Sequence, residues 1–157
     1  MSAITFEILF IVLLLLGNGV FAMSELAIVS ARKVRLRQMC ESGDSRACAA
    51  LELAASPDRF LSTIQIGITL IGILAGALGG ATIAEQLGRQ ISRVPALAPY
   101  GEAIGVGVVV LAITYFSLII GELVPKRFAL NHPERIARLV ARPRKSCRNW
   151  YRRWLAF

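Results

Sequence analysis

Histidine occurs once in these 157 residues, at His132, cysteine three times, and Asp plus Glu only ten times against eighteen Lys plus Arg. A lone histidine and cysteines without metal-ligand spacing argue against a zinc site, and an odd cysteine count cannot form a closed disulfide scaffold. Charged residues make up 18% of the chain, below the ~25% of an average soluble domain. Apolar residues reach 55% and the mean hydropathy is +0.60, which excludes intrinsic disorder and fits poorly with an ordinary soluble fold. No nucleophile–base pair or metal-activated water arrangement is visible, so the chain does not read as an enzyme. The net charge of +8 would suit a nucleic-acid binder, but such a protein has no use for long uncharged runs, and no nucleic-acid partner is expected.

Three such runs are present. Ile8 to Ser24 is seventeen residues without charge and continues past Glu25 to Ser30, Phe60 to Ala84 is twenty-five, and Ala103 to Gly121 is nineteen. A membrane-spanning helix needs roughly 20 predominantly apolar residues, with a lower limit near 17. The expected architecture is an all-α membrane protein with three transmembrane helices, over about 4–30, 60–84 and 103–124. A cleaved signal peptide is the alternative for the first run, but no Lys or Arg precedes it.

Lys and Arg outside the spans alternate: none before the first, six between the first and second, two between the second and third, and ten after Pro125. The positive-inside rule then puts the N-terminus outside and the C-terminus in the cytoplasm of a multi-pass protein of the cell (inner) membrane. Residues 31–59 read as a short cytoplasmic helical hairpin, broken at Glu41-Ser42-Gly43-Asp44 and stopped at Ser56-Pro57-Asp58. The tail from Asn131 combines basic residues with Trp150, Tyr151, Trp154 and Phe157, the pattern of a basic juxtamembrane helix on an anionic lipid surface. Cys40, Cys48 and Cys147 all fall on the cytoplasmic side, where thiols are expected to stay reduced.

Two carboxylates stand where charge is costly: Glu25 within the first span and Glu122 at the end of the third. Ionisable groups at membrane depth mark ion paths or paired sites. Local pairing, Glu25 with Arg32 and Glu122 with Lys126 at i+4, is the plainer alternative. Polar neighbours weigh against it. Asn18 shares a helical face with Glu25, and Tyr115 lies seven residues before Glu122, with Thr114, Ser117 and Gly121 on a neighbouring stripe. Thr63, Gln65 and Thr69 supply oxygens from the second span. Oxygen donors without histidine or cysteine describe a hard-cation site. Pro125 has no N–H to give the Gly121 carbonyl, so Gly121-Glu122-Leu123-Val124-Pro125-Lys126 places a freed carbonyl beside a carboxylate. Irregular backbone at that depth is tolerated only inside protein or beside a cavity.

Gly72, Gly76 and Gly80 give two overlapping GxxxG patterns, a close-packing face for another helix of this chain or for a second copy. Three helices are few to enclose an ion path, which favours a homodimer in the lipid bilayer.

Asn18 with Met23-Ser24-Glu25-Leu26-Ala27, the following Arg32-Lys33-Val34-Arg35, the stretch Phe60 to Gly72, and Gly121-Glu122-Leu123-Val124-Pro125-Lys126 together resemble the transmembrane domain of the CorC/CNNM family, in its bacterial haemolysin-like magnesium transporter branch. The likeness runs from about residue 4 to 143, leaving 144–157 as a basic aromatic tail. It implies a three-helix dimer exporting magnesium coupled to sodium. Ser24, Glu25, Gly121 and Glu122 would surround the cation, Mg2+ as transported ion, and Thr63 would add an oxygen from the second span. Two departures stand out: Gly67 is followed by Ile68 where some members carry asparagine, and the sequence shows no CBS domains of the kind that usually follow. A membrane anchor or assembly module without transport of its own is the competing function; in it the glutamates would be dispensable and the glycine face would not. A pore-forming toxin finds no amphipathic pore-forming segment.

Overall fold

The computed structural model describes residues 3–141, and every element in that range is helical. Cys147 and most of the predicted basic tail lie outside the described residues.

Three stretches are long and apolar enough to cross a membrane: Ile4–Ser30, Asp58–Leu78 and Ala98–Asn131. The first is one helix, α1 (Ala3–Ser30), whose 28 residues extend about 42 Å at ~1.5 Å per residue. It is apolar all round, and Leu9, Leu13 and Leu16 stand exposed, as expected of side chains that meet lipid. Beyond Ser30 come α2 (Lys33–Glu41) and α3 (Ser45–Ala55), the hairpin that the charge pattern predicts.

The second and third spans depart from plain α-helix in the same way. The second runs as α4 (Asp58–Leu78), a π turn at Gly79–Ile83, and α5 (Ala84–Ile91). After a short 3₁₀ turn at Ala98–Tyr100, the third runs as α6 (Gly101–Leu118), a π turn at Ile119–Leu123, and α7 (Val124–Asn131). Pro125 therefore does not stop the helix. It occupies the second position of α7, and the π turn directly before it absorbs the missing donor. α8 (Pro133–Val140) follows, with proline at its first position.

The described residues form two compact units. One comprises residues 3–20 and 66–124. Its apolar core is Ile11, Leu15 and Ala75, flanked by Leu14, Leu78, Ile83 and Ile113. Here α5 and α6 touch backbone to backbone: a Cβ on Gly105 would lie 2.7 Å from both the Ala84 oxygen and the Gly88 nitrogen, and one on Gly88 would lie 3.1 Å from Glu102 Cα. The glycines that make this contact are Gly88, Gly101 and Gly105. At Gly72, Gly76 and Gly80, the stripe singled out from the sequence, a Cβ would meet nothing within 4 Å.

The other unit comprises residues 21–65 and 125–141, and its core joins Ile28, Leu36, Ala50 and Ala137. Small residues on α3 (Ala47, Ala50, Ala54) let neighbouring helices approach. The hairpin turns at Gly43, whose φ of 97° is a conformation glycine adopts without steric cost. Asp44 caps α3 by accepting from the Arg46 and Ala47 amides at 2.9 and 3.3 Å, and its other oxygen pairs with Arg138 of α8 at 2.6 Å. The turn also brings Cys40 and Cys48 to a Cα separation of 4.7 Å, and they are joined as a disulfide. This corrects the expectation of reduced thiols, which weighed compartment and charge but not the nearness that a tight helical hairpin enforces on residues eight apart.

Candidate functional site

The π turn at Ile119–Leu123 is the irregular point of the third span. The Val124 amide donates to the Ile119 carbonyl, five residues back rather than four. Gly121 is buried in this turn, and Pro125 offers its carbonyl no donor. That donor comes instead from Asn18 of α1, whose Nδ2 reaches the Gly121 oxygen at 3.3 Å. Asn18 is only 4% exposed. The carbonyl expected to be freed by Pro125 is thus held by a side-chain amide. A Cβ at 121 would sit 2.8 Å from Asn18 Nδ2, so a larger residue there would turn the amide away from the carbonyl.

Glu122, the next residue, is half-buried and lines a cavity of about 280 Å³. Gly72, Ala75 and Gly76 form one wall, and Ile113, Thr114 and Ser117 are among the residues of the other. Glu122 is the single carboxylate in that lining, with the Thr114 and Ser117 hydroxyls as its polar company. Tyr115 is not part of the lining and is 61% exposed. The seven-residue spacing that aligned Tyr115 with Glu122 assumes unbroken α periodicity. The extra residue of the π turn rotates that face onto Thr114 and Ser117. A bulge in an apolar helix leaves almost no mark in sequence, and the Gly-Glu-x-x-Pro spacing was its one available signal.

In the other unit Ser24 is buried and Glu25 half-buried. Thr63 is exposed, and its hydroxyl donates to the Arg59 carbonyl at 2.8 Å. No group of three or more His, Cys, Asp or Glu side chains gathers among the described residues, so any cation held here relies on hydroxyl, amide and carbonyl oxygens as well as carboxylates.

Comparison with known proteins adds a decisive match: the model of the cyclin M transmembrane N-terminal domain (CNNM) aligns with residues 8–149. The chain belongs to the CNNM family. A UPF0053 protein of Synechocystis sp., sll0260, is 54% identical over 140 residues, covering 89% of this chain and 31% of that protein. The UPF0053 inner membrane protein YfjD of Escherichia coli is 31% identical over 120 residues, covering 76% and 25% respectively. A polyamine export protein of Haemophilus influenzae is 29% identical over 133 residues, covering 83% and 30%. The chain spans about 30% of the length of these curated relatives. As a CNNM domain it is a multi-pass membrane protein, and its π turn with Gly121 and Glu122 falls inside the matched region.

Proposed function

We propose that this CNNM domain is a cation-transport module rather than an enzyme, and that magnesium, exported against sodium, is its ion. One observation carries the proposal most directly: an apolar span opens into a π turn where a half-buried carboxylate, Glu122, lines a cavity beside a carbonyl clasped by a buried amide. A carboxylate and a carbonyl are hard-cation ligands, and ionisable groups at membrane depth mark ion paths or paired sites. Glu122 would supply charge and Gly121 its carbonyl. Ser24, Glu25 and Thr63 come in as further oxygen donors through the family likeness. The Lys and Arg distribution supports an N-terminus outside and a cytoplasmic C-terminus in the inner membrane. That three spans are few to enclose an ion path supports a homodimer.

Magnesium binding to the purified protein in detergent, followed by calorimetry, tests the proposal. Glu122→Gln is expected to lower affinity at least tenfold while the protein stays folded, as loss of a direct ligand should. Wild-type affinity in that variant would remove Glu122 from the site, and a folded wild type that binds no cation would favour the anchor function.

A second substrate has its own support. Most of the cavity lining is hydrocarbon, from Ala75, Val110, Ile113 and Leu118, which suits the methylenes of an aliphatic polyamine whose ammonium meets Glu122. A relative bears the name polyamine export protein. Titration with 1,4-diaminobutane in place of magnesium separates the two.

A further inference from the structure

Among the described residues, three buried side-chain atoms make no hydrogen bond: Glu7 Oε2, Asn18 Oδ1 and Arg138 Nε. Asn18 is the one that touches the π turn. A backbone carbonyl only accepts, so the amide nitrogen of Asn18 must face Gly121 and the amide oxygen must be the atom left over. An acceptor buried without a partner is destabilising, and leucine, of nearly the same shape, would avoid it. Leucine would also forfeit the bond to the Gly121 carbonyl, so asparagine serves the turn through its nitrogen and brings with it a buried oxygen in need of a donor.

We propose that Asn18 belongs to the cation's site, with its Nδ2–H fixing the Gly121 carbonyl in the π turn and its Oδ1 accepting a hydrogen bond from the bound cation. The inference rests on the cation reading of this turn. The partner must carry hydrogen-bond donors, and the Glu122 carboxylate beside the Gly121 carbonyl favours one that is positively charged. Two cations have that chemistry: magnesium, which holds its water ligands tightly, and a protonated aliphatic amine, whose N–H groups all donate. In either case Asn18 is a positioning residue that acts through the carbonyl it holds and the shell it meets.

The test uses native Asn18 as its own reporter. The chain has three asparagines, at 18, 131 and 149, so Asn131→Gln with Asn149→Gln leaves Asn18 alone, and growth on asparagine labelled with ¹³C at the side-chain carbonyl gives it a distinct infrared band. Difference spectra of the full chain in detergent are recorded on adding magnesium chloride and, separately, 1,4-diaminobutane, with calorimetry in parallel. The expected result is a shift of that band to lower frequency with the cation that binds, absent from the Glu122→Gln protein. A shift with magnesium alone assigns the donor as metal-bound water, and a shift with the diamine alone assigns it as an ammonium group. Asn18→Leu is expected to weaken the same binding by about tenfold, the usual scale for a group that orients a ligand. An unmoved band while Glu122-dependent binding is recorded overturns the role of Asn18 and leaves the cation reading standing. Heat from neither cation overturns both. If Asn18→Leu does not fold, the infrared result alone decides.

Discussion

Gly121 lets the Asn18 amide stand against its carbonyl. A methyl at 121 would stand 2.8 Å from Asn18 Nδ2, the end of a side chain that can turn away, and in ordinary contact with Ser117 Oγ at 3.5 Å. Gly121→Ala is expected to destabilise the protein by about 1 kcal/mol, the low end for overpacking because a side chain gives way, and to weaken magnesium binding by displacing the amide. Gly107→Ala is the control, because a Cβ there meets nothing within 4 Å. Thermal unfolding in detergent compares the two, and equal midpoints would show that the Asn18 contact is dispensable. At this scale the sequence was informative about chemistry and poor on direction. Glu122, Gly121 and Pro125 were legible as a group because charge and proline are rare in apolar helices. The choice of Ser117 over Tyr115 as the neighbour of Glu122 was not, since it depends on one residue of helical register.

Among the elements, the α5–α6 contact shows how far an apolar pattern can be read. Existence of the spans followed from charge-free runs long enough to cross as helices with their backbone bonds made internally, while the third apolar helical stretch, Ala98–Asn131, is longer than the expected 103–124. Which faces would touch did not follow. GxxxG spacing pointed to Gly72, Gly76 and Gly80, yet the closest backbone approach lies at Gly88, Gly101 and Gly105, beyond the last of the three and on both partners at once. Spacing within one helix cannot report the partner's shape. Gly105→Ala is accordingly expected to lower the unfolding midpoint by far more than Gly107→Ala, two residues along the same helix. The added methyl would stand 2.7 Å from the Ala84 carbonyl, and main chain cannot swing aside as a side chain can. Similar midpoints for the two variants would mean that the helices separate at little cost.

Taken whole, the chain pairs a membrane part that sequence reads well with a hairpin whose chemistry it misreads. Charge placed the hairpin between the first two spans and Ser42-Gly43-Asp44 marked its turn, but the pairing of Cys40 with Cys48 needed the geometry. That bond makes the hairpin a chemical witness to its own compartment. A cytosol rich in small thiols opens an accessible disulfide, whereas the space outside the membrane preserves it. Alkylating the protein with a maleimide in intact cells, under denaturing quench, therefore counts compartments through mass. If the hairpin faces the cytosol, as the charge distribution supports, the bond is opened and all three cysteines are modified; a preserved bond leaves Cys147 as the lone adduct and overturns that orientation. One spectrum would thus assign the direction of all three spans, because successive crossings fix each other.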